Sequence, residues 1–239
     1  MTFTGFILLR EKKWDSAGFF TRLKNNWNIE PEDDILNKDE NLFAFPYNNM
    51  MISAAFIPSP VPNGEAENNA RFNYLWKDAV KETAKHTAQI IISIMAGNAE
   101  TFVKVCESCI DDNTIGVYTN GVVYQPGFYS EMAQVIKQGE LPIFDLVWFG
   151  LTDIGGGRIN GYTMGLENFG KPEIEVLECT GQPSELIDFL VSIASYVIEE
   201  DAVLSDGETI GFSAEQKLKI TLSDGVEFDR KTLKIEYPY

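Results

Sequence analysis

Apolar residues along this chain switch between a period of two and a period of three to four, and the switches mark its elements. Thr2 to Leu9 (TFTGFILL) is short and β-rich and reads as a first strand. Asp15 can cap a helix whose apolar positions are Phe19, Phe20, Leu23 and Trp27. Residues 30–40 (EPEDDILNKDE) read as an acidic loop with six carboxylates and one Lys. Two strands, 41–45 and 49–57, follow with a join expected near Pro46. The three prolines of PSPVPNG then break the chain, and Asn63 is expected to cap a helix carrying Glu65 and Glu67 in its first turn. The stripe predicted to face inward on that helix is Ala66, Ala70, Phe72, Leu75, Trp76, Ala79, Val80 and Thr83.

Gln89 to Met95 reads as a central strand, apolar on both faces. A helix over 100–110 and a strand over 114–119 come next, and Asn120-Gly121 predicts a tight hairpin returning through Val122 to Tyr124. Pro126 opens a helix with Phe128, Met132, Val135 and Ile136 inward and Gly139 at its end. Phe144 to Leu151 (FDLVWFGL) reads as a second buried strand, and the triple glycine 155–157 as a turn into an antiparallel return over 158–164. Residues 173–178 alternate like a half-buried strand. Pro183 begins the clearest helix, with Leu186, Leu190, Ile193 and Val197 on one stripe. Three short β segments follow Asp201.

These elements predict an α+β fold: a largely antiparallel sheet with helices packed on it. An α-β-β-α-β order appears twice, ending at Met95 and at Leu151, and suggests a duplicated ferredoxin-like unit. The expected organisation is a single domain over 1–239, with candidate halves 1–98 and 99–200 and a β-rich tail at 201–239.

Composition narrows the function. The 239 residues carry 36 Asp and Glu against 19 Lys and Arg, a formal net charge of -17. A field of that sign repels nucleic acid and anionic membrane surfaces and steers a basic partner inward. Hydrophobic residues at 44% and aromatics at 12% exclude a disordered acidic tail. No apolar run approaches the ~18 residues of a membrane helix. The first charges, Arg10 to Lys13, follow the first apolar segment, the wrong order for a signal peptide. With three Cys and no disulfide framework, the expected setting is the reducing cytoplasm.

Candidate chemistry is sparse. Cys106 and Cys109 have CxxC spacing, but they share an inward helical stripe with Phe102 and Ile110. Zinc would need two more soft ligands, and only Cys179 and His86 remain. His86, the sole histidine, has no nucleophile elbow to serve. The 155–157 glycines lack the GK[ST] helix of a phosphate loop. No cofactor or metal is expected, and no catalytic residue is assigned.

The strings FIPSPVPNGEAENNARFNYLW, GVYTNGVVYQPGFYSEM, GELPIFDLVWFGL, NGYTMGLENFGK and DGETIGFSAEQKLKIT resemble the bacterial family catalogued as domain of unknown function 4261. The likeness runs in order over essentially the whole chain. It implies a single-domain bacterial protein and carries over no catalytic residues. The expected function is non-enzymatic binding of a basic protein, of immunity or accessory type. Glu32, Asp33 and Asp34 are the expected partner-binding residues; Glu199, Glu200, Asp201, Asp206 and Glu208 lie in a second acidic loop, which reads as a solvated face or as a docking surface for a basic protein. The alternative is an enzyme with a carboxylate and aromatic site, drawing on Asp145, Trp148 or Tyr162. That reading predicts an apolar pocket holding a carboxylic acid of raised pKa.

Overall fold

The computed structural model describes residues 1–31, 41–213 and 216–238. Among these residues the chain forms twelve strands in two six-stranded sheets, with seven α-helices, an α+β fold. It divides into two compact units, Met1–Leu146 and Val147–Tyr239, each holding one sheet. The division falls after Leu146, and the strands over 114–119 and 122–124 belong to the first sheet. The tail beyond 201 supplies strands to the second sheet.

The first unit runs β1 (Thr2–Leu9), α1 (Ser16–Trp27), β2 (Leu42–Tyr47), β3 (Met50–Ile57), α2 (Glu65–Ala70), α3 (Ala79–Thr83) and β4 (Ala88–Met95). It continues with α4 (Ala99–Ser108), β5 (Thr114–Thr119), β6 (Val122–Tyr124), α5 (Pro126–Ala133) and α6 (Ile143–Leu146). Its sheet order is β2-β3-β4-β1-β5-β6, antiparallel throughout. β1 is covered on both faces. Phe3 stacks on Phe102 of α4, whereas Leu8 meets Val61, Ala66, Ala70 and Ala79 of the α2–α3 layer. This strand order does not by itself establish the ferredoxin-like duplication, which stays a proposal.

Asp15 caps α1 as expected, accepting from the Gly18 N–H at 2.9 Å. The β2–β3 turn sits at Asn48-Asn49, both at positive φ, and Pro46 lies within β2. β2 is an edge strand, where a residue lacking an N–H is tolerated. The expected helix from Asn63 onward is broken. Asn63 has φ of 59° and caps nothing, α2 ends at Ala70, and turns occupy 71–78 before α3. Leu75 (60% exposed) and Val80 (46% exposed) therefore leave the predicted inward stripe and face solvent. The buried strand expected over 144–151 is instead α6, which follows Pro142, and then a strand beginning at Trp148.

The second unit runs β7 (Trp148–Gly155), β8 (Arg158–Met164), β9 (Ile174–Cys179), α7 (Pro183–Glu199), β10 (Thr209–Ile210), β11 (Leu218–Asp224) and β12 (Lys231–Ile235). Its sheet order is β10-β11-β12-β9-β8-β7, with β12 parallel to β9 and the other pairs antiparallel. Gly155, Gly156 and Gly157 all adopt positive φ in the β7–β8 turn, a run that residues with a Cβ would strain. α7 buries Leu186, Leu190, Ile193 and Val197, the stripe read from the sequence, and Gln182 and Glu185 close its N-terminus as a capping box. Gly161 makes the close helix–sheet approach. A Cβ there would lie 2.8 Å from the Leu186 side chain.

Candidate functional site

Three polar or exposed constellations stand out, one on the second unit's surface and one inside each unit. The first is a cleft of about 650 Å³ beside the C-terminal turn of α7. Asp201, at φ of 47°, ends the helix, and the Ala202 N–H returns to the Val197 carbonyl at 3.1 Å. The 205–208 turn is pinned to β11 by Asp206 and closed on itself by Glu208. The Asp206 carboxylate accepts from the Leu222 N–H at 2.8 Å, and that of Glu208 from the Ser205 N–H at 2.9 Å. Between these anchors lie Ala202, Leu204, Ile210 and Ile220, with Tyr196, Val203, Glu200 and Glu208 around them. Val203 is 72% exposed, and neither Lys nor Arg lines the cleft among the described residues. Lys171 pairs with Asp201 nearby at 2.7 Å. The second acidic run read from the sequence is thus the border of a partly apolar cleft. Glu32, Asp33 and Asp34 lie outside the described residues.

Inside the second unit two glutamates are buried, Glu173 just before β9 at 1% and Glu175 within it at 0% exposure. Glu175 accepts from the Val226 and Glu227 N–H groups and the Thr232 hydroxyl, and pairs with the Lys234 ammonium at 2.9 Å. Burial alone would raise its pKa. The Glu227 N–H, Lys234, Thr232 and the Val226 N–H outweigh it, so the carboxyl sits below the usual range. For Glu173 burial wins and the pKa is raised, although the Gly165 N–H and the Thr163 hydroxyl donate to it at 2.7 Å each. Glu227 in turn accepts from Thr152 and Asn160. These carboxylates serve as hubs for loop backbone. Their signal in the sequence was the Thr232/Lys234 pattern of β12, which is read only once β12 is known to lie beside β9.

Inside the first unit, α6 delivers Asp145 to the core with no exposure. Neither of its carboxyl oxygens has a hydrogen-bond partner among the described residues. Asn120 donates to its backbone carbonyl at 2.9 Å, not to its side chain. Cys106, Tyr124 and Tyr129 surround it, all fully buried, with the two tyrosine rings edge to face at 5.8 Å. Burial, reinforced by the Glu107 charge, pushes the Asp145 pKa well above the usual carboxylate range. Burial also pushes the Cys106 and Cys109 thiols up, which makes them poor nucleophiles. Among the described residues no group of three or more His, Cys, Asp and Glu is placed to hold a metal ion. Trp148 and Tyr162 belong to the other unit, where Tyr162 covers Gly150.

His86 is buried as well. Its Nε2 accepts from the Val61 N–H at 2.9 Å, and its Nδ1 donates to the Thr83 carbonyl at 2.7 Å. A backbone N–H can only donate, so the ring is the neutral Nδ1–H tautomer.

The second unit's cleft and carboxylate network coincide with a recognisable sequence unit. Residues 162–236 match the family described as Domain of unknown function (DUF4261). The matched stretch holds α7, Glu173, Glu175, the cleft and Lys234, and begins inside β8. It covers the last two of the five strings that carried the resemblance, from Tyr162 onward; the other three precede it. No curated protein and no solved structure matches the chain. Among the described residues no helix is long and apolar enough to cross a membrane.

Proposed function

We propose that this is a non-enzymatic, acidic partner-binding protein of the bacterial cytoplasm, of immunity or accessory type, and that the cleft beside α7 receives a basic segment with an apolar anchor. The observation that carries the reading is the cleft itself: partly apolar, with Ile210 and Ile220 inside it, bordered by Glu200 and Glu208, and lined by no basic residue among the described residues. The net charge of -17 acts in the same direction, attracting such a partner at long range while the cleft accepts its apolar side chain. Glu32, Asp33 and Asp34 are proposed as a second contact for the same partner. Nucleic acid is not proposed as a ligand, for the reason of charge.

The test is capture from the host at low and moderate salt with three tagged forms: wild type, Tyr196→Ser/Val203→Ser, and Glu200→Gln. All three residues are exposed, so the fold should tolerate the changes. The expected result is one basic protein held near one-to-one by wild type, released as salt rises, and lost from the double variant. Equal capture by wild type and the double variant removes the cleft from the reading. Neutralising Glu32, Asp33 and Asp34 together tests the second contact in the same assay. A carboxylate-based enzyme is the second reading, favoured by Asp145, whose raised pKa suits an acid catalyst. Asp145 lines neither the α7 cleft nor a second groove, on the first unit between α2 and α3 beside Tyr74 and Trp76, so that reading requires a route by which substrate reaches it.

A further inference from the structure

The proline-rich connector before α2 is the most unusual stretch of the sequence, and the partner-binding reading leaves it unused. It is held by side chains from the far end of the same layer. Val61 donates its N–H to His86 Nε2, and the Gln89 amide reaches the Ser59 carbonyl at 3.4 Å. Prolines at 58, 60 and 62 leave Ser59 and Val61 as the only N–H donors of the stretch from Pro58 to Pro62. The Val61–His86 bond is therefore the connector's main tie to the foot of α3.

That bond tolerates only one protonation state. An imidazolium carries a hydrogen on both ring nitrogens and accepts nothing. With Nδ1 already bonded to Thr83, an added proton must go to Nε2, where it meets the Val61 N–H head on. A receiver for the new charge is at hand. Glu67 Oε1 lies 3.6 Å from Nδ1, and Glu67 Oε2 is buried without a hydrogen-bond partner among the described residues. Of the neighbouring charges, Glu82 on α3 and Lys85 just after it pair with each other, and Arg10 beyond the end of β1 and Lys81 act on Glu82. The connector contributes no titratable group.

We propose that His86 is a proton-operated latch: protonation breaks the Val61 bond, turns the ring toward Glu67, and frees the connector from α3. Val61, Ala66, Ala70 and Ala79 share one core cluster, so release of Val61 loosens the α2–α3 layer. That layer carries a groove of about 640 Å³ lined by Tyr74, Trp76 and Val80 with Arg71, Lys77 and Lys81, and the latch sets its shape.

A single histidine makes the test clean. NMR of the full chain from pH 8 to 4.5 would follow the His86 ring and the Val61 amide together. The expected result is one shared midpoint, with Val61 amide exchange, corrected for its intrinsic pH dependence, accelerating at least tenfold below it. In His86→Gln the side-chain oxygen can accept the Val61 N–H at every pH, so that acceleration should vanish. In Glu67→Gln the latch remains but the charged receiver is gone, and the ring midpoint should fall. A ring that titrates while Val61 stays unchanged overturns the proposal. So does a ring that takes up no proton before the protein unfolds, or a midpoint indifferent to Glu67→Gln.

Discussion

A carboxyl group without exposed surface or hydrogen-bond partner is least costly when neutral, and Asp145 meets both conditions. Its pKa is raised in the folded state, so its contribution to stability is fully present below the unfolded value near 4. It is lost as pH rises toward the folded value. While Asp145 stays protonated in the folded chain, folding at higher pH takes up a proton and loses about 1.4 kcal/mol per pH unit. Asp145→Asn removes that proton. Urea unfolding at pH 5, 6, 7 and 8 should show the variant gaining on wild type for as long as Asp145 stays protonated in the folded chain, and a constant difference would count against a neutral Asp145. Glu175 works with the opposite sign. Its pKa is depressed, so its stabilisation is present above the unfolded value and fades as pH falls through the folded one. Glu175→Ala should cost about 3 kcal/mol at neutral pH, since it strands Lys234 and the 226–227 amides. Glu178→Ala, on the same strand but in an exposed pair with Arg158, should stay within about 0.5 kcal/mol in the same assay. None of this was legible beforehand. Alternation places Glu175 and Glu178 on opposite faces of β9 but does not say which face is buried, and only the neighbouring strand separates the hubs from the solvated charge.

At the scale of elements, local chemistry was readable wherever one or two residues decide the conformation. Asn120-Gly121, the 155–157 glycines, the Asp15 cap and the α7 stripe all sit where the sequence placed them. It failed where tertiary contact outweighs periodicity. Residues 66–83 carry a helical stripe, yet the chain turns at 71–78, and Asn73 spends its side chain on the Val123 carbonyl and the Leu75 N–H. An Asn that satisfies turn and sheet backbone together competes with helix continuation. Glycine positions show the same division. Gly150 faces Tyr162 across the β7–β8 pair, and a Cβ there would fall 2.1 Å from the ring. Because that ring also packs edge-on against Phe228, Gly150→Ala should cost roughly 1–3 kcal/mol. Gly127, in the first turn of α5, has open space around its missing Cβ. Gly127→Ala should stabilise by up to about 1 kcal/mol through the unfolded chain. Urea midpoints that move in the same direction for both would refute the distinction.

For the whole molecule, the boundary after Leu146 and the start of the family match at Tyr162 disagree by one strand. β7 lies between them and pairs with β8 from Trp148↔Met164 to Gly155↔Arg158. A fragment of 147–239 keeps a complete six-stranded sheet, the buried face of α7 and the Glu175 network. One of 162–239 loses β7 and the first half of β8, strips Gly150 from under Tyr162, and removes the Thr152 and Asn160 partners of Glu227. The longer fragment should therefore give dispersed amide spectra and a cooperative urea transition, and the shorter one neither. Two folded fragments would place the boundary at the family match, and two unfolded ones would make the units interdependent. The longer fragment also carries every residue of the α7 cleft. If the cleft is the main contact, that fragment must hold the partner captured by the full chain, at an affinity within about tenfold. A folded fragment that releases it would transfer the binding energy to the first unit, where Glu32, Asp33 and Asp34 lie.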